Sequence, residues 1–227
     1  MRTDPAPRPT RVTLEGQSID LVPLDADRHG ESIYESTRGP EHDALWAYLF
    51  DGPFESRADF DRSMQRMAKS EDPLFYAIID RASRRAVGRA ALMRIEPAHR
   101  VIEVGSILYT PQLQRTRGAT EAMYLLARYV FDELGYRRYE WKCNALNAAS
   151  RSAALRLGFT FEGIFRQHMI IKGKSRDTAW YSMIDAEWPL INDAFEAWLS
   201  PENFDAAGNQ IRRLQDIRAD LEKERLA

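Results

Sequence analysis

The residues with the clearest chemical potential run from Tyr109 to Glu121, as Tyr-Thr-Pro-Gln-Leu-Gln-Arg-Thr-Arg-Gly-Ala-Thr-Glu. An apolar stretch, Val101 to Tyr109, precedes them, and an amphipathic stretch follows as far as Leu134. The order is strand, polar loop with two arginines and a glycine, then a long helix. A helix start leaves about four backbone N–H groups without intrahelical acceptors and aims them at one point. Such an arrangement is an anion site. Arg115 or Arg117 adds charge-assisted donors, and Gly118 spares the backbone a Cβ where an anion would approach.

Other chemistries fit less well. His29, His42, His99 and His168 stand singly, and Cys143 is the lone cysteine, so neither a zinc site nor an internal disulfide is expected. His168 is the one histidine kept in view, because it falls on a strand near the expected cleft. There is no Gly-x-Gly-x-x-Gly after a strand and no Gly-x-x-x-x-Gly-Lys-Ser/Thr.

The elements that must position the loop follow from periodicity. Arg11–Leu14 and Ser18–Leu24 read as short strands hinged at Gly16. Asp25 reads as an N-cap for a helix to about Thr37, stopped at Gly39-Pro40. Glu41–Phe50 and Ser56–Lys69 read as two further helices, the second with Phe60, Met64 and Met67 on one stripe. Leu74–Ile79, Ala86–Ile95 and Val101–Tyr109 then form an antiparallel meander. Gly105 interrupts the last of these, as a bulge, a close ligand approach, or room for a bulky neighbour.

Gly118–Leu134 is the longest helix, with Ala119, Ala122, Met123, Leu126, Val130 and Leu134 inward and Glu121, Arg128 and Asp132 outward. Gly135 closes it. Tyr136–Asn144 alternates Tyr139, Trp141 and Cys143 against Arg138, Glu140 and Lys142, a strand with one wet face. Strand, helix, strand over this distance makes Val101–Tyr109 and Tyr136–Asn144 a parallel pair. A helix from Asn147 to Leu157 ends at Gly158. Phe159–Ile171 and Thr178–Asp185 form a hairpin with Lys172–Asp177 as its turn, and Leu190–Leu199 and Asn209–Leu226 close the chain as helices. The last carries a narrow stripe, Ile211, Leu214, Ile217 and Leu221, able to dock in cis or on a partner.

Taken in order, several pieces resemble the GNAT superfamily of acetyl-coenzyme A-dependent N-acetyltransferases. They are Ile102-Glu103-Val104-Gly105, Gln114-Arg115-Thr116-Arg117-Gly118-Ala119-Thr120-Glu121, Leu134-Gly135-Tyr136, Asn144 through Arg151, Leu157-Gly158-Phe159 and Phe161-Glu162-Gly163. The nearest branch is the one named for ribosomal-protein N-terminal acetyltransferases. Thr120 departs from the family pattern, which has a small residue there. The resemblance implies an α/β fold, or α+β by its mixed sheet: mostly antiparallel, with one parallel strand pair splayed apart and helices on both faces. It implies acetyl-CoA as acyl donor and no metal. Backbone N–H groups freed near Gly105 to Leu108 would bind pantetheine and polarise the thioester carbonyl, those of Arg115, Thr116, Arg117, Gly118, Ala119 and Thr120 would wrap the pyrophosphate, and Ile107, Leu108, Tyr109 and Gln114 would be among the coenzyme-binding residues. Asn147 would hydrogen-bond the coenzyme as well as cap its helix. Ser150 would contact the coenzyme and protonate the leaving thiolate, against the alternative of a bond back to a helix carbonyl.

Glu103 is the leading general base, with a salt-bridged strand carboxylate as its other reading. The energetics favour an acceptor of low pKa. A lysine amine costs about 4.6 kcal/mol to neutralise at pH 7, an α-amine near pKa 8 about 1.4. The expected acceptor is thus a peptide N-terminal α-amine or an amino-acid-like small molecule, attacking directly in a ternary complex. A non-catalytic acyl-CoA sensor or interaction module is the alternative. Trp46, Tyr48, Phe50 and Phe54 read as core or as acceptor contacts.

Length and composition set the frame. The 227 residues suit one domain with a real core, here 11–200, with 1–10 as a disordered lead-in and 201–227 as a C-terminal helical extension. A net charge of −2 offers no global attraction to nucleic acid, and no apolar run approaches a bilayer span. The lone cysteine suits a reducing cytoplasm, and a monomer or homodimer is expected.

Overall fold

The computed structural model describes residues 4–226. In chain order it contains β1 (Leu14–Glu15), β2 (Ile19–Pro23), α1 (Ala26–Thr37), a 3-10 turn (Pro40–Trp46), α2 (Arg57–Lys69), β3 (Leu74–Asp80), β4 (Ala86–Glu96) and β5 (Val101–Tyr109). Next come α3 (Arg117–Arg128), β6 (Arg138–Asn144), α4 (Ala148–Leu157), β7 (Thr160–Ile171), β8 (Lys174–Ile184), α5 (Trp188–Leu199) and α6 (Leu214–Leu226). The eight strands form one sheet in the order β1-β2-β3-β4-β5-β6-β8-β7, antiparallel except at β5–β6.

Alternation along the strands makes this sheet a partition. In β3, Tyr76 and Ile78 pack into one apolar cluster while Phe75 and Ala77 pack into another. The smaller cluster gathers Ile33 from α1, Trp46, and Phe60 and Met64 from α2. The larger gathers Leu125 and Leu126 of α3, Leu157 of α4, Phe195 of α5 and Leu214 of α6. Asp25 caps α1 by accepting from the amides of Asp27 and Arg28, and the Ser56 side chain caps α2. The Glu41–Phe50 helix is absent as such; a 3-10 turn, entered through Pro40, takes its place.

The parallel pair is joined only from Val101↔Arg138 to Val104↔Trp141. Beyond that β5 runs on to Tyr109 and β6 to Asn144 without pairing each other, which leaves a wedge. A bulge in β5 bends it away. Against β4, Leu108 pairs with Arg89 and Gly105 with Ala91, so Ser106 and Ile107 crowd opposite one residue, and Ser106 takes a φ of +50°. Gly105 also makes room for a neighbour, since a Cβ there would lie 2.6 Å from the Met93 sulfur.

Several expectations are corrected. The α-helix after the loop ends at Arg128 and continues as a π turn, Tyr129–Glu133, before Gly135 at φ +66°. Glu121 does not face away. It is 2% exposed and accepts from the amides of Gln17, Ser18 and Ile19, tying α3 to the β1–β2 turn. The face of β6 expected to be wet is also closed, because Glu140 and the Lys142 side chain are buried together. The β7–β8 turn is two residues, Lys172 and Gly173, both with positive φ, as a tight hairpin requires.

The ends differ too. Of residues 1–10, expected as a disordered lead-in, 1–3 lie outside the described residues and 4–10 lie on the domain: Ala6 is buried and its amide donates to the Pro97 carbonyl. The C-terminal extension is irregular from Phe204 to Arg213, held by a bridge between Phe204 and Gln210, and helical only from Leu214. Leu214 and Ile217 enter the larger core, so the last helix docks in cis; Ile211 stays exposed.

Candidate active site

The wedge between β5 and β6 opens into a cavity of about 1110 Å³. That exceeds the ~300–1,000 Å³ of ordinary small-molecule sites. β5 supplies Glu103 through Tyr109 as one wall, the loop and start of α3 lie at one end, and α4 closes another side through Asn147, Ser150 and Ala153.

The loop before α3 is braced from within. The Thr110 hydroxyl donates to the Val87 carbonyl at 2.7 Å, and the Gln114 side-chain amide donates to the Tyr109 carbonyl at 3.2 Å. The Tyr109 hydroxyl in turn donates to the Ala119 carbonyl at 3.0 Å, and burial raises its pKa. Thr116 is the N-cap of α3, its hydroxyl accepting from the Ala119 amide at 3.2 Å. The amides of Arg117 and Gly118 are the first-turn donors that this cap leaves over. Arg115 is exposed, with φ +61°, and borders the cavity.

Three residues of the loop stand differently from expectation. Gly118 faces β2 rather than the cavity: a Cβ there would meet Ile19 Cγ2 at 2.7 Å. Its lack of a side chain serves close helix–strand packing. Arg117 is committed elsewhere, donating to the Leu199 carbonyl and the Gln17 side chain, with its guanidinium 4.8 Å from the Phe204 ring centroid. The Thr120 hydroxyl, the misfit in the motif, accepts from Arg156 at 3.0 Å. The Leu108 side chain packs into the smaller core, leaving its backbone to the wedge.

On the opposite side of the wedge, Asn147 caps α4 by accepting from the Ser150 amide at 3.1 Å. The Ser150 oxygen accepts from the Trp141 indole N–H at 3.0 Å. The expected alternative, a bond from Ser150 back to a helix carbonyl, does not form among the described residues.

Glu103 is 5% exposed on the cavity wall. Its Oε2 lies 3.0 Å from Lys142 Nζ and 3.5 Å from Arg94 Nε. Burial pushes the carboxyl above its ordinary range, and Lys142 offsets only part of this. Lys142 is itself divided: it lies 2.6 Å from Glu140, sits 3.8 Å from the Trp180 ring centroid, and makes no well-aligned hydrogen bond to Glu103. The strand carboxylate is thus salt-bridged and on the cavity wall at once.

The structure adds residues that the motif does not contain. Arg156, on α4, borders the cavity beside Thr120 and lies 5.0 Å from the Trp198 ring centroid; burial lowers its pKa, and it makes no salt bridge among the described residues. Phe204 and Gln210 bring the C-terminal extension into the same wall beside Trp198 of α5, whose indole donates to the Gln210 side-chain oxygen at 2.8 Å. Nothing local in the sequence marks Arg156 or the extension as part of the site. Tyr48 and Phe50 border the cavity while Trp46 and Phe54 pack inward, so the aromatic stretch divides between contact and core. His168 is exposed and bonded to Thr178 at 3.0 Å, away from the cavity lining.

Comparison with known proteins adds independent findings. The family model described as the acetyltransferase (GNAT) domain matches residues 20–160. A crystal structure of a GCN5-related N-acetyltransferase from Brucella melitensis is 50% identical, with a TM-score of 0.93, covering 95% of this chain and 98% of that one. YdaF of Bacillus subtilis, whose name assigns it provisionally to ribosomal N-acetylation, is 24% identical over 175 residues, 74% of this chain and 90% of YdaF. The match to the uncharacterized N-acetyltransferase YoaA of the same organism is 29% over 109 residues, 48% of this chain and 61% of YoaA.

Proposed function

The chain belongs to the GNAT acetyltransferases, and on that premise we propose that it moves an acetyl group from acetyl-CoA to a primary α-amine by direct attack in a ternary complex. The observation that carries this reading is the wedge. Unpaired backbone of β5 and the free amides of α3 open into one cavity with a raised carboxyl and an anchored hydroxyl.

Each residue then has a role. The first-turn amides of α3 and the unshared Arg115 receive the pyrophosphate, and Arg156 offers a second cation further along α4 for the remaining phosphate. Backbone N–H groups beyond Val104, freed from strand pairing, bind pantetheine and polarise the thioester carbonyl as the tetrahedral centre forms. Glu103 accepts a proton from the acceptor's ammonium so that the neutral amine attacks, and its raised pKa brings it closer to the base strength the step needs. Ser150, with its oxygen fixed by Trp141, gives its hydrogen to the departing thiolate and takes a proton back from solvent, while Glu103 releases the one it accepted. Asn147 keeps its side-chain N–H₂ for the coenzyme because only its oxygen is used by the cap. A peptide N-terminus is the preferred acceptor, on the lower cost of neutralising an α-amine and on the name given to YdaF.

The test pairs binding with turnover. Acetyl-CoA at about 100 Kd should stabilise the fold by about 2.7 kcal/mol in thermal or denaturant melts. Free thiol should appear in the presence of peptide amines. A melt unmoved by saturating acetyl-CoA would sink the proposal.

A further inference from the structure

The end of the cleft bordered by Phe50 holds a buried cation with no carboxylate partner among the described residues. Arg176, on β8, is 7% exposed and borders the cavity. Its Nε has no hydrogen-bond partner, and no carboxylate lies within salt-bridge distance among the described residues. The Phe50 ring lies over it, its centroid 5.5 Å from the guanidinium carbon. Burial lowers its pKa, yet an arginine stays charged in a protein.

The acidic groups nearby are already occupied. Asp51 takes two hydrogen bonds from Arg89, at 2.7 and 2.8 Å. Asp177, next in sequence, accepts from the Gln167 amide at 2.7 Å. Glu103 is close enough for its charge to act on Arg176, but Lys142 and Arg94 hold it. Lys172, the other cation at this end, is satisfied by the carbonyls of Trp46 and Asp51, each at 2.8 Å. A guanidinium removed from water with no counter-ion is costly, and its planar fork matches a carboxylate.

We propose that Arg176 binds a carboxylate carried by the acceptor, so that the substrates are amines bearing an acidic group close to the reacting nitrogen. This rests on the acyl-transfer reading above. The site and the substrate are then complementary at two points: Glu103 faces the ammonium and Arg176 faces the carboxylate. The carboxylate comes either from a free amino acid or from an acidic residue beside a peptide N-terminus.

Stable conjugates of coenzyme A separate these cases without turnover. In one pair the sulfur carries –CH₂–CO–NH–CH₂–COO⁻ or the matching primary amide. In the other, the same linker carries the amide of Ser-Asp or of Ser-Asn. Affinities are measured by titration calorimetry, with coenzyme A alone as reference. The carboxylate member of at least one pair should bind about 10- to 100-fold more tightly than its neutral twin, the range of a hydrogen-bonded charge. The pair that shows the gap names the source. Arg176→Gln should close that gap while leaving affinity for coenzyme A unchanged, and Arg176→Lys should keep part of it.

Equal affinity within both pairs in the wild-type protein, with coenzyme A still bound, overturns the assignment whatever the variants do. Failure of coenzyme A and every conjugate to bind overturns the acyl-transfer reading and this inference with it.

Discussion

In the proposed reaction, Glu103 and Ser150 work through what their neighbours leave free. Because burial raises the Glu103 pKa, the basic form is reached only above the ordinary carboxylate range of about 4.3. The acidic limb of kcat/KM against pH should therefore be displaced upward from that value. Glu103→Gln should abolish the limb and lower kcat by about 10²–10⁴-fold. Ser150→Ala should reduce kcat with little change in KM. It also strips the Trp141 indole of its acceptor, so a stability loss of about 1–3 kcal/mol should appear in denaturant melts. At this scale the motif made the position of Glu103, Asn147 and Ser150 on the cavity wall legible, because their spacing to Gly105 and Gly158 is local. Arg156 and Arg176 were not legible. What distinguishes them is the lack of a counter-ion, and that depends on which distant segments fold against them.

Elements were legible where one periodicity dominated. Val101–Tyr109 is a strand with the expected bounds, and the caps Asp25, Ser56 and Asn147 stand where short polar side chains precede apolar stripes. The errors came from polar residues buried with partners. Glu121, Glu140 and Lys142 read as solvent-facing because their types usually are, yet three amides hold the first and mutual charge the other two. The loop before α3 allows a paired prediction. Arg115→Ala should weaken acetyl-CoA binding about tenfold or more, the value of a charge-assisted hydrogen bond, without moving the apo melting curve. Gly118→Ala should do the reverse. It costs about 1–3 kcal/mol of stability through the clash with Ile19, while calorimetry finds acetyl-CoA affinity nearly intact.

At the scale of the molecule, one sheet divides two cores, and the acyl cleft sits where its single parallel contact gives out. No helix among the described residues is long and apolar enough to cross a membrane, and no described group of His, Cys, Asp and Glu is gathered to hold a metal ion. The C-terminal extension belongs to this domain. Removal of residues 201–227 should lower the melting temperature by withdrawing Leu214 and Ile217 from the larger core, and should free the Arg117 guanidinium from Phe204. Hydrogen exchange should then quicken in the first turn of α3. The same segment has a consequence in biosynthesis. Phe204 and Gln210 are translated after every strand of the sheet, and chains begin folding from the N-terminal side as they are made. A nascent molecule therefore acquires its sheet and its wedge first and gains this further wall of its cleft only once Gln210 has been made.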